Sequence, residues 1–117
     1  MKSKELKTLT SKLASFAQDR DWDQFHSPKN LSMALSGEAG ELVEVFQWLT
    51  EEESKNLTIK QKDRAEEELA DVFLYLLRLS DKLNIDLVEA ANKKLIVNEK
   101  KYPIERSYGI AKKYTDL

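Results

Sequence analysis

Apolar residues recur along most of this chain in alternating steps of three and four, the rhythm of helices that bury one face. Leu6, Leu9, Leu13 and Phe16 form the first such row and predict a helix from about Lys4 to Arg20. Leu31, Leu35, Leu42, Val45 and Leu49 form the second. Ser27 before Pro28 supplies an N-cap followed by proline at the first helical position, so this helix is expected from Pro28 to about Glu51. Glu51 to Leu57 is charged, lacks an apolar row and predicts a loop. Thr58 with Gln61 has the form of a capping box and opens a third helix to about Leu83, with Ala65, Leu69, Val72, Leu76, Leu79 and Leu83 as its row. Asp86 with Glu89 opens a fourth, which Pro103 ends after Tyr102. No stretch alternates as a strand would. The expected fold is all-α, a single domain over residues 1–117 built as a four-helix bundle-like arrangement, with residues 104–117 as a mobile arm or a strap on a partner subunit.

One member of the second row breaks the pattern. Glu38 stands between Leu35 and Leu42 in an apolar slot, where a carboxylate without a partner is costly. Glu41 lies three residues on, and Glu68 and Asp71 repeat the spacing in the third helix, with 26 residues between the pairs. Positions i and i+3 share a helix side, so each helix can aim two carboxylates at one point. If the two helices run antiparallel, all four converge. Unit charges of like sign about 4 Å apart repel by roughly 4 kcal/mol at an effective dielectric of 20, and a cation between them removes that cost. Gly37 and Gly40 flank Glu38 and suggest close approach of a ligand or another helix.

Composition narrows the choice of cation. The chain has no Cys and a single His, His26, outside any Glu-x-x-His motif. Thiolate sites and di-iron carboxylate sites of the bundle type are therefore excluded, and hard oxygen ligands favour Mg2+, with Mn2+ as the alternative. The net charge of −2 gives no footprint for nucleic acid. Neither a membrane-length apolar run nor a secretory leader is visible, so a cytoplasmic protein is expected.

Charge is unevenly placed. Glu38 to Asp71 carries eleven acids against four bases, and Lys93 to Leu117 seven bases against three acids. An acidic middle for cations and a basic end for phosphates suit a metal-bound polyphosphate. Magnesium usually shares its coordination shell with water and substrate phosphates, which makes phosphoryl chemistry the natural use of such a site. Asn98 continues the row Val88, Ala91 and Leu95 as a second polar residue in an apolar slot, and Lys94, Lys101 and Arg106 lie near it in sequence. Trp22, Phe25, His26, Trp48 and Tyr75 could build a stacking pocket for a base, although core packing is the simpler role for Phe25.

At these residues the chain resembles the MazG-like all-α nucleoside triphosphate pyrophosphohydrolases. Gly37-Glu38-Ala39-Gly40-Glu41-Leu42 and Glu67-Glu68-Leu69-Ala70-Asp71-Val72 match the family's E-x-x-E, spacer, E-x-x-D pattern. Arg20 to His26, Asn30-Leu31, Phe46-Gln47-Trp48 and Asn98 to Pro103 look like the dCTP pyrophosphatase branch, and the resemblance covers roughly residues 9 to 103. It implies hydrolysis of a nucleoside triphosphate, with dCTP or a 5-modified dCTP as the expected substrate, to monophosphate and pyrophosphate with magnesium, in a homodimer or homotetramer (a dimer of dimers). Carried over residue by residue, Glu38, Glu41, Glu68 and Asp71 match the metal ligands, with Glu41 also orienting or deprotonating the attacking water. Trp22, Asp23, Gln24, Phe25, His26, Trp48 and Tyr75 match the substrate pocket, and Asn98 with Lys101 or Tyr102 the phosphate side. Leu13 departs from the pattern, standing where a polar pocket residue is expected, and leaves the choice of base open. A broad house-cleaning pyrophosphatase and a non-catalytic metal- or nucleotide-binding helical oligomer are the alternatives.

Overall fold

Each long helix begins where a side chain can take up its first free peptide N–H groups. A computed structural model describes residues 3–117, with helices α1 (Lys4–Asp19), α2 (Pro28–Phe46), α3 (Glu51–Lys55), α4 (Ile59–Lys82), α5 (Leu87–Lys101) and α6 (Ile104–Ser107). Ser3, Ser27, Thr58 and Asp86 accept from the backbone of the third residue on, and Pro28 follows its cap as expected. At Thr58 the box is complete: Gln61 N donates to Oγ1 at 3.1 Å and Thr58 N to Gln61 Oε1 at 2.9 Å. At Asp86 the carboxylate takes the Glu89 N–H at 3.1 Å, while the Glu89 side chain pairs with Lys93 at 3.2 Å.

Two boundaries differ from the sequence expectation. α2 stops at Phe46 rather than near Glu51, and the expected loop holds α3. Thr50 and Glu53 form a reciprocal capping box, and three acids in the first turn favour the positive end of the helix dipole. An apolar row was the wrong test there, because this short helix is mostly solvated. The tail carries α6 and turns back on its own chain. Tyr114 packs edge-on against Tyr102 at 6.0 Å between ring centroids, and Lys101 Nζ lies 4.7 Å from the Tyr114 ring, so the arm folds back on the end of α5.

α2 and α4 form the principal pair, and α1 lies along α4. Ala17, Leu31, Val45, Ala65 and Leu77 are the buried apolar residues. Every member of the predicted α2 row is buried or half-buried, Glu38 included. α5 makes at most slight contact with the other helices and buries no residue, so one chain packs three long helices and leaves the fourth unpartnered. The surface reflects this: the chain exposes 9243 Å², against about 6,500 Å² for a folded monomer of its 13.5 kDa mass. Its Cα radius of gyration is 17.6 Å, where about 13 Å is usual for this length. Among the described residues no helix is long and apolar enough to cross a membrane.

Candidate functional site

The pairing of α2 with α4 sets the geometry of the acidic residues. Glu44 pairs with Arg64 at 3.4 Å at one end, and Glu38 and Glu41 meet Glu68 and Asp71 further along, so residue numbers rise on one helix as they fall on the other. The helices are antiparallel, as the convergence of the four acids requires. One carboxylate oxygen from each of Glu38, Glu41, Glu68 and Asp71 lies within 4.8 Å of the other three.

Glu38 and Glu68 are half-buried on the inner side of the pairs, and Glu41 and Asp71 are exposed on the outer side. Glu38 Oε2 and Glu68 Oε2 are shielded from solvent and accept no hydrogen bond. Burial pushes the Glu38 carboxyl above its usual range, and its neighbours Glu41, Asp71 and Glu68 push it further. Burial also raises Glu68, with Glu41 and Asp71 adding, while the Arg64 guanidinium acts in the opposite sense. Two orphaned carboxylate oxygens among crowded acids fit a hard divalent cation, whose charge would satisfy both atoms. Gly37 and Gly40 have nothing within 4 Å of where a Cβ would stand. Among the described residues, nothing packs directly against either glycine.

A cavity of about 180 Å³ adjoins the cluster through Asp71. The side of α4 that carries Asp71 continues through Tyr75 to Arg78, and Leu13 and Phe16 of α1 close the cavity with Trp22 and His26 of the connector. Trp22 stands edge-on to Phe16 at 5.7 Å and to His26 at 6.5 Å between ring centroids. The connector is fixed by a turn after α1, where Trp22 N donates to Ala17 O at 2.8 Å and Asp21 takes a φ of 56°.

The remaining expected substrate residues are placed otherwise. Asp23 accepts from Arg78 at 2.7 Å and from Lys82, and these cations hold its carboxyl below the usual range, Lys82 being the larger cause. Gln24 donates to Asp21, and Phe25 is exposed while its carbonyl accepts from Asn30. Trp48 is 86% exposed on the turn after α2 and does not line the cavity. Asn98, Lys101 and Tyr102 lie at the far end of α5, with Lys101 and Tyr102 engaged by Tyr114, and the chain alone does not bring them to the cavity. Phe16, Leu74 and Arg78 line it without having been singled out for it. For Arg78 the signal was available: it follows Asp71 and Tyr75 on one helix side at steps of four and three.

Comparison with known proteins agrees with this architecture. A model of the MazG-like family matches residues 33–117. The chain is 47% identical over 106 residues to a Rattus norvegicus protein named dCTP pyrophosphatase 1, and 43% identical over 106 residues to the Homo sapiens protein of that name. Each match covers 89% of this chain but 62% of the relative, so the chain spans less than two thirds of their length. The crystal structure of a pyrophosphatase from Archaeoglobus fulgidus superposes with a TM-score of 0.81 at 38% identity, covering 88% of this chain and 96% of that one.

Proposed function

The chain belongs to the MazG-like family, and from that premise we propose that it is a magnesium-dependent nucleoside triphosphate pyrophosphohydrolase acting on dCTP or a 5-modified dCTP. The observation that carries the reading is the junction at Asp71, which belongs both to the four-carboxylate cluster and to the aromatic cavity. A triphosphate at the acids and a base in the cavity would then be parts of one ligand. The name of the rat and human relatives supports the choice of base.

Glu38, Glu41, Glu68 and Asp71 would hold the cation, which supplies charge neutralisation for the polyphosphate. Glu41, on the solvated side of the cluster, would orient the attacking water and take its proton as the α–β phosphoanhydride breaks, giving monophosphate and pyrophosphate. Trp22 and Tyr75 would hold the base by packing, since aromatic rings offer flat apolar faces with polar edges. Asn98, Lys101 and Tyr102 would serve the phosphates of a neighbouring copy, because their helix stands away from this chain's own site. The homodimer or homotetramer this requires is supported by the excess surface and by the exposed Leu69, Phe73, Leu95 and Ile96 on α4 and α5.

Leu13 favours a second reading, a broader house-cleaning enzyme, because it presents an apolar wall to the base instead of a hydrogen-bonding group. One experiment separates these readings. The purified protein is incubated with magnesium and a panel of deoxynucleoside triphosphates including 5-methyl-dCTP, and the products are resolved. Pyrophosphate with dCMP is expected; orthophosphate with dCDP rejects the chemistry, and equal turnover of every base rejects the specificity.

A further inference from the structure

Among the described residues Arg78 is the one buried cation, 6% exposed, and it is used unusually. Its Nη2 donates to Asp23 at 2.7 Å and its Nη1 to Asp81 at 3.4 Å. Its Nε donates to His26 Nδ1 at 3.1 Å. An arginine nitrogen has no lone pair to offer, so His26 Nδ1 must be the acceptor and carry no proton. In a neutral ring the single proton is then on Nε2. Among the described residues that Nε2–H has no acceptor, and His26 lines the cavity beside Trp22 and Tyr75.

We propose that Arg78 is a positioning residue that locks His26 in its Nε2–H form, so that the cavity presents one fixed donor and selects a heterocycle turning a ring acceptor toward it. A ring carbonyl or an unprotonated ring nitrogen satisfies that donor. A base turning an amino group to the same place would set donor against donor and leave both unpaired, a larger penalty than a missing methyl contact. At about 180 Å³ the cavity is smaller than a site for a whole drug-sized ligand, so it holds one ring system with the remainder outside. Burial and the Arg78 and Lys82 charges all lower the His26 pKa, with Asp23 opposing, which agrees with a neutral ring. The identity of the ligand as a nucleotide rests on the function proposed above; the tautomer does not.

Because His26 is the only histidine, long-range proton–nitrogen NMR of the 15N-labelled chain reports one imidazole without assignment. At neutral pH the expected spectrum has a protonated Nε2 and a bare Nδ1. Arg78→Met should give mixed tautomers or an imidazolium. Arg78→Gln should restore the original pattern, since its amide nitrogen stands the same number of bonds from Cα as the arginine Nε. In kinetics, Arg78→Met should raise KM about tenfold, as loss of one hydrogen bond would, with a smaller change in kcat and partial rescue by Arg78→Gln. A wild-type ring protonated on Nδ1, or Met and Gln variants alike in spectrum and KM, would overturn the proposal. Should the wild type turn over no nucleotide yet show the expected ring, the hydrolase reading falls alone. Titration with cytidine then tests the donor directly: movement of the Nε2 resonance supports it, and an unmoved resonance at saturation rejects it.

Discussion

Glu38 is the residue on which the site turns, because it spends an apolar slot on a charge. Glu38→Gln and Asp71→Asn remove ligand charge while keeping shape, and each should lower magnesium-dependent turnover at least a hundredfold with helicity unchanged by circular dichroism. Wild-type rates in both would reject the metal site. The raised Glu38 and Glu68 carboxyls also fix a pH dependence. Their folded pKa values exceed the ordinary 4.5, so the folded state binds more protons, and without added metal, stability falls as pH rises from 4.5 through the raised values. Asp23 acts in the other direction: its contribution is present above 3.8 and disappears as pH falls through its lowered pKa. Urea midpoints measured without metal should therefore rise on acidification from neutrality toward pH 4.5, then fall in stronger acid. Saturating magnesium should raise the neutral-pH midpoint and flatten that rise. The four acids were legible in sequence through their spacing and the apolar slot of Glu38, since i, i+3 placement and helix register are local properties. The partners of Asp23 and His26 were not, because those contacts span more than fifty positions and depend on how α1 turns into α2.

At the scale of elements, caps and rows decided most boundaries. The apolar row of α2 located the buried face, and Ser27, Thr58 and Asp86 located three helix starts. α3 was missed because solvated helices need no apolar face, although its Thr50–Glu53 box was in plain view. These caps carry measurable stability: Thr58→Ala should cost about 1 kcal/mol by removing the acceptor for Gln61 N–H at the start of α4. Leu77→Ala, at a wholly buried position of α4, should cost roughly 2–5 kcal/mol. Chemical denaturation with unchanged slopes would check both, and equal small losses at the two positions would contradict the packing described for α4.

Viewed whole, the molecule departs most from what sequence suggested. The four long helices follow the expected rows, but periodicity cannot say whether an apolar face meets its own chain or another, and α5 makes at most slight contact with α2 and α4. Sedimentation of the purified chain should give a mass of at least two copies at micromolar concentration, and a monomer there would reject the proposed assembly. The unusual radius of one chain adds a condition on its shape. A compact body of twice this length has a radius of gyration of about 17.5 Å, nearly the 17.6 Å of the single chain. Two copies that fill each other's open sides would double the forward X-ray scattering while leaving the Guinier radius almost unmoved. A pair touching only at its tips would scatter as a longer object, so one small-angle curve distinguishes interlocked chains from adjacent ones.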